Sequence, residues 1–332
     1  MKNLNNIAPT MHSKFWLLAV NIFLMLMISS CSSSSNSPPA FTPQNTLDGK
    51  VLVIGSQVDS ISGDLVMYVT GTDLDGIPLT VAQLQTATVK VDAASYTNGD
   101  GNLAITAVAG TEDILSLSLV ADWSNSTNGE LQFVSGIFTQ LLDSLPAVFE
   151  AQVSTFSDDL EIQQDWTTDL ALLKAGVLKA HSVRNKTALY DSMGEALEAD
   201  PGDLTEADGG IIDRCRPAHM MVVFTDGDDN MSSVYTASGL ADIVNLDKTV
   251  VIMLGTSDAL PAVLTTLAGD YGAVVQVNDP SGLPVEVDNF TASLNNMVAF
   301  TLDSAINIVG KTLSITLGTQ TAVVEPNLHC AP

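Results

Sequence analysis

The spacing of apolar and polar positions changes character along this chain. Between residues 49 and 110 it is short-range: KVLVIGSQV, GDLVMYVTG, ATVKVDAAS and NLAITAVAG are β-rich runs separated by Gly, Asp and Asn, which predicts strands joined by turns. Asn98-Gly99-Asp100-Gly101 predicts a hairpin turn. From residue 112 the runs lose their polar positions. LSLSLVA and MMVVF are nearly unbroken, as expected of strands buried in a parallel sheet, and FEAQVSTF, TVVIMLGT and AVVQV read as further strands.

Between these runs the period lengthens to that of a helix. Leu131, Val134, Phe138, Leu141 and Leu145 form one stripe over 129–145, closed by Pro146. TTDLALLKAGVLKAH predicts a helix capped by Thr167 or Thr168, with Asp169 in its first turn. Further helices are expected through Tyr190, Met193 and Leu197, over SGLADIVNLD and over LPAVLTTLAG. FTASLNNMVAFTLDSAI reads as a closing amphipathic helix through Phe290, Leu294, Met297 and Leu302.

Strand and helix alternation over 112–303 predicts an α/β domain with a doubly wound, mainly parallel six-stranded sheet flanked by helices. EADPGDLTEADGGIID, 198–213, reads as an acidic, Gly-rich loop insertion. GKTLSITLGTQTAVVE, 310–325, is another hairpin-like pair. Four strands in 49–110 make an incomplete sandwich, which 308–328 would complete as a small β-sandwich with the larger domain inserted. Two unrelated β appendages are the alternative.

The first 30 residues carry only Lys2 and Lys14 as charges, then an apolar stretch from Phe15 to Ile28 broken by Asn21. It is shorter than the roughly 18 to 20 apolar residues of a spanning helix, so it reads as the core of a signal peptide. Met11 offers a second possible start. Ile28-Ser29-Ser30-Cys31 resembles a bacterial lipobox, which implies lipidation at Cys31 after cleavage. A shorter signal peptide cut without lipidation is the alternative. Residues 31–48 are Ser- and Pro-rich and read as a tether. Ser32 resembles the outer-membrane sorting preference of lipoproteins, so the expected location is the bacterial cell envelope, lipid-anchored to the outer membrane, on its periplasmic or its surface face. The lipid would be the only link to the membrane.

Without the two leader lysines, ten basic residues face thirty-eight acidic ones, a net charge of −28. Such a chain has no electrostatic means of holding nucleic acid or an anionic membrane face. With 46% hydrophobic residues it is nonetheless a folding chain. If Cys31 is acylated, Cys215 and Cys330 remain, an even pair in an oxidising compartment. A bridge between them and two separate thiols are both compatible with the sequence.

Candidate chemistry lies just past the apolar runs. Asp122, Ser124 and Ser126 stand in DWSNS, Thr187 in TALYDSM and Asp226 in FTDGDDN. Oxygen donors gathered beyond the carboxyl ends of parallel strands occupy the ligand-binding end of open α/β sheets. They suit a hard cation, Mg²⁺ or Mn²⁺, with Ca²⁺ a poorer fit. Taken singly, each group has a plainer reading. The serines and Thr187 would cap helices and Asp226 would close a turn.

As a set, Asp-x-Ser-x-Ser, a lone Thr and an Asp in T-D-G resemble the metal-ion-dependent adhesion site of von Willebrand factor A (VWA) domains. The resemblance covers about 112–300. It implies Ser124 and Ser126 as direct ligands, Thr187 as a conditional one, Asp122 and Asp226 acting mainly through water, and an open position for an Asp or Glu carboxylate of a protein partner. Adhesion is the function implied. An envelope scaffold binding proteins without metal is the second reading. TGTDLDGIPLTVAQLQTATVKVD also resembles the immunoglobulin-like or prealbumin-like segments that precede such domains. One departure stands out: Arg184, Asn185 and Lys186 precede Thr187, where the family often has Gly-Gly, and their bulk is expected to narrow the approach or pair with the ligand. Nothing in the sequence points to an enzyme, since G-x-S-x-G, H-E-x-x-H and a phosphate-cradling Gly loop are all missing.

Overall fold

The computed structural model of the chain describes residues 43–108, 113–129, 131–145, 149–179, 183–197, 210–257 and 259–326. The expected signal peptide, Cys31, most of the tether, Cys330 and most of the acidic insertion lie outside them. Among the described residues no helix is long and apolar enough to cross a membrane.

Two strands with every residue buried run side by side at the centre, β7 (Leu115–Asp122) and β10 (Ala218–Thr225). They pair in parallel from Leu115↔Ala218 to Ala121↔Phe224. Burial on both faces explains why neither shows a polar alternation. Next to β7 lie β8 (Phe149–Phe156), parallel, and β9 (Leu160–Thr167), antiparallel. On the far side of β10 lie β11 (Val250–Gly255) and β12 (Ala273–Gln276), both parallel, with the short β1 (Gln44–Asn45) antiparallel at the edge.

Helices cover both faces. Core residues of α2 (Leu131–Ser144), α3 (Leu170–Val177) and α7 (Leu283–Asn295) pack on one side. Those of α4 (Leu189–Leu197), α5 (Ala237–Asp247) and α6 (Pro261–Ala268) pack on the other. This is the doubly wound layout expected of alternating strands and helices.

The sheet is larger and more mixed than the six-stranded one expected. β2 (Val51–Val58), β3 (Leu65–Gly71), β13 (Val298–Leu302) and β6 (Leu103–Ala107) continue it to eleven strands. The junction is one antiparallel pair, Ala218↔Gly55, beside a register shift in β2. A Cβ on Gly55 would stand 2.1 Å from the Pro217 carbonyl oxygen, so only glycine lets the two backbones approach.

The expected β-sandwich is therefore not a separate body. A second sheet, ordered β15 (Gln320–Val324), β14 (Leu313–Leu317), β4 (Thr88–Val91), β5 (Ala94–Thr97), shares one apolar core with residues of β3, β6 and β13. That core joins Met67, Ile105 and Phe300 to Val89 and Ile315. A helical turn, α1 (Val81–Leu84), held by a Thr80–Gln83 capping box, contributes Leu84.

Three local expectations are corrected. Asn98-Gly99-Asp100-Gly101 does not close a hairpin, because β5 pairs with β4 while β6 pairs with β13 in the other sheet. Asp169, rather than Thr167 or Thr168, caps α3, accepting from the amides of Ala171 and Leu172 at 2.8 and 3.3 Å. The closing helix ends at Asn295, and Val298, Phe300 and Leu302 alternate inward as β13, between β3 and β6.

Candidate metal centre

The parallel register of β7 and β10 brings their carboxyl ends together, and with them two of the sequence motifs. Asp122, the last residue of β7, is fully buried. Its Oδ1 accepts from the Ser124 amide at 2.9 Å and its Oδ2 from the Thr225 hydroxyl at 2.8 Å. The carboxylate is thereby fixed from two directions.

Beyond it runs a chain of side-chain oxygens. Ser124 Oγ lies 2.8 Å from Ser126 Oγ, and Ser126 Oγ donates to Asp226 Oδ1 at 3.0 Å. Thr127 stitches the turn beneath, its hydroxyl 2.8 Å from the Ser124 carbonyl and 3.2 Å from that of Asp122. Ser124 and Asp226 are buried while Ser126 is exposed, so the cluster opens to solvent there. Among the described residues the serine hydroxyls point at each other and at a carboxylate rather than at helix amides.

Thr187 arrives on a separate loop, pinned at both sides. Its amide donates to Asn230 Oδ1 at 3.0 Å, its carbonyl accepts from the Asn230 amide at 2.9 Å, and the Ala188 amide donates to the Ser157 carbonyl at 2.6 Å. The loop thus spans the end of β8 and the turn that follows Asp226. Thr187 is buried, and its hydroxyl makes no hydrogen bond among the described residues.

Burial pushes the Asp122 carboxyl up to about 6, with the Asp226 charge adding to the rise and the hydrogen bonds from Ser124 and Thr225 opposing it. Among the described residues no Lys or Arg pairs with Asp122. A buried carboxylate beside a second one and several hydroxyl oxygens is short of positive charge. The donor set consists of hard oxygens only, which fits a small divalent cation. No group of three or more His, Cys, Asp or Glu suited to a metal occurs among the described residues, so the centre is visible only when hydroxyls are counted.

Of the basic residues before Thr187, Arg184 does other work than expected, while Lys186 contacts the Met231 sulfur. Arg184 is held by Asp158 at 2.6 Å, Asp159 at 2.9 Å and Glu161 at 3.3 Å, and its backbone bridges to Ser124. It braces the loop rather than offering itself to a ligand. Asp228 and Asp229 are likewise occupied. Asp228 accepts from the Leu260 amide, and Asp229 from the Tyr190 amide and from Ser232.

Sequence reasoning missed Thr225, Thr127 and Asn230, which position the cluster without belonging to its pattern. A hydroxyl directly before the Asp of T-D-G was the one available signal. Cys215 is disulfide-bonded, and Cys330, its expected partner, lies outside the described residues.

No protein-family model matches the chain, and no curated protein does. Among solved structures it is similar to proximal thread matrix protein 1 from the mussel byssus with a zinc-occupied MIDAS motif, at 19% identity over 59% of this chain and 49% of that one, with a TM-score of 0.47. It is also similar to a von Willebrand factor type A structure from Catenulispora acidiphila, at 11% identity over 82% of this chain and 70% of that one, TM-score 0.45. BatB from Bacteroides thetaiotaomicron is a third, at 15% identity over 54% of this chain and 98% of that one, TM-score 0.39. The chain spans about half the length of the mussel protein. The functional reading rests on the centre's own geometry rather than on these distant likenesses.

Proposed function

We propose that residues 112–303 form a VWA-type module in which Asp122, Ser124, Ser126, Thr187 and Asp226 hold a divalent cation, Mg²⁺ or Mn²⁺, and through it bind the Asp or Glu carboxylate of a protein partner. The observation that carries this reading is the oxygen chain Ser124–Ser126–Asp226 beside a buried Asp122 that has no cationic partner among the described residues. A bound cation would supply the missing positive charge and an electrophilic position for an acidic group, inverting the local field.

The residues of the chain would divide the work. Asp122 and Asp226 would balance charge, the two serine hydroxyls would coordinate, and Thr187 would bring a further hydroxyl on a braced loop. Neutral hydroxyls leave a cation electron-poor, which favours an incoming carboxylate. Asp122 is already engaged by Ser124 and Thr225, so it is fixed in place rather than poised as a base; the reading is of binding, not catalysis.

Calorimetric titration of the purified protein with Mn²⁺ and Mg²⁺ tests the centre. Saturable heat that vanishes in Ser124→Ala and Asp226→Ala supports it, and no heat from either ion sinks it. Partner capture from envelope extracts that survives chelation would point instead to a metal-independent scaffold. For the anchor, we propose lipidation at Cys31, tested by mass spectrometry of the mature N-terminus.

A further inference from the structure

We propose that the partner carboxylate is presented beside a bulky apolar side chain, which seats in a groove between α2 and α3, while Lys179 pairs with a second acid of the partner. The proposal rests on the cation-centre reading and names the kind of segment that centre takes.

The topology places the groove at the site. α2 departs from the carboxyl end of β7 through the short turn Ser126–Gly129. β9 then carries the chain back along the sheet, and α3 returns toward the Thr187 loop. The first turns of α2 and the last turn of α3 therefore meet at the site end. Between them lies an open groove of about 560 Å³, its apolar wall made by Trp123, Leu131, Val177 and Leu178, with Lys179 and the neutral polar Gln132, Ser135 and Thr139 also lining it. That size lies within the range of small-ligand clefts, about 300 to 1,000 Å³. Trp123, which lines the groove, is bonded on either side to Asp122 and Ser124, so the groove lies beside the candidate centre although none of the five oxygen-bearing residues lines it.

Two further features shape the groove. Leu178 is 69% exposed at the end of α3, in a chain whose surface is otherwise strongly acidic. Gly136 sits inside α2 although a Cβ there would meet nothing within 4 Å. Glycine is disfavoured in a helix interior relative to alanine, and no neighbour within 4 Å of that position demands it. Its effect is to keep the groove floor open.

Charge selects the occupant. Lys174, Arg184, Arg214, Arg216, Lys248 and Lys311 are each held by an acidic residue of this chain. Lys179, like Lys50, Lys90 and Lys186, makes no ion pair among the described residues, and of these four it is the one that lines the groove. In a chain of such negative charge, a lysine left unpaired beside an apolar groove and a cation site complements an acidic segment carrying one large apolar side chain. A neutral hydrophobic peptide would leave both charges unused.

The test uses the mature chain loaded with Mn²⁺ and three blocked peptides, Phe-Asp-Glu, Gly-Asp-Glu and Phe-Asn-Gln, followed by calorimetry and Trp fluorescence. Phe-Asp-Glu should bind about tenfold or more tightly than Gly-Asp-Glu. Gly136→Leu, which fills the groove, and Leu178→Asp, which makes it polar at an exposed position, should each erase that preference while leaving the Mn²⁺ titration unchanged. Lys179→Glu should weaken both acidic peptides. Equal binding of Phe-Asp-Glu and Gly-Asp-Glu, a preference that survives both groove variants, or Phe-Asn-Gln binding as well under chelation overturns the proposal. Absence of Mn²⁺ heat in the parent protein removes the cation reading and this proposal with it, an outcome distinguishable from groove failure because it precedes any peptide.

Discussion

The adjacent parallel strands β7 and β8 carry buried carboxylates at opposite ends, Asp122 and Glu150, and the two are handled in opposite ways. Near the amino end, Glu150 accepts from Arg214 Nε at 2.9 Å and Nη2 at 2.8 Å and from the Ser116 hydroxyl at 2.7 Å. Arg214 in turn lies 5.0 Å from the centroid of the Trp166 ring. Here the chain provides both the charge and its neutraliser, in bidentate geometry. At the carboxyl end, Asp122 is as deeply buried but receives only neutral donors, the amide and hydroxyl of Ser124 and the hydroxyl of Thr225, with Asp226 close by. A buried charge satisfied internally is architecture. One without an internal neutraliser is where the proposed cation would bind.

The contrast can be broken most forcefully at the amino end. Arg214→Met leaves Glu150 with Ser116 and the more distant Arg216, at 3.8 Å, and should cost about 3 kcal/mol in urea unfolding. Asp122→Asn should move stability by no more than about 1 kcal/mol, since it removes a charge that lacks a partner and keeps an acceptor for the Ser124 amide. Equal losses from both variants would erase the distinction.

Next in size is the response to metal. Mn²⁺ at a hundred times its dissociation constant should stabilise the protein by about 2.7 kcal/mol, by mass action on the native state. The rise in Tm should be absent in Ser124→Ala and intact in a Glu150 variant that still folds.

The two ends should also titrate with opposite sign. At Glu150 burial alone would raise the pKa, but hydrogen bonds from Arg214 and Ser116 and the arginine charges bring it below its ordinary 4.5. Its contribution is therefore present above 4.5 and lost as pH falls through the lower folded value. Asp122 is raised by burial from 3.8 to about 6. In chelator, its protonated form should stabilise the fold below 3.8, an advantage that fades as pH climbs through about 6. Thermal melts from pH 3 to 8 should show both limbs, and Asp122→Asn should flatten only the upper one.

The smallest effect sharpens the site's edge. Asn230→Ala removes the acceptor for the Thr187 amide and should cost about 1 kcal/mol of stability. Mn²⁺ affinity should drop a few-fold in calorimetry, with no change at the Glu150 end.

Much of this was legible in the residues, but unevenly. The buried strands announce themselves because two-sided burial removes polar positions from β7, β10 and β11. α2 shows because one face meets a core. β9 was missed because it is an edge strand, partly exposed throughout, so LEIQQDWT carries no alternation. β13 was read as helix because Phe290, Leu294 and Met297 keep a helical spacing up to the boundary, and Val298, Phe300 and Leu302 supply only three alternating positions.

Spacing and side-chain chemistry in the chain were enough to name an α/β layer and the oxygen donors at its strand ends, because burial patterns and donor types are properties of local residues. Tertiary structure alone settled the eleven-stranded sheet, its branch at Gly55, and the burial of Asp122 without the arginine that Glu150 enjoys. Those depend on which distant segments meet. Neither the approach of two backbones nor the sharing of a charge across a hundred residues is encoded in any local pattern.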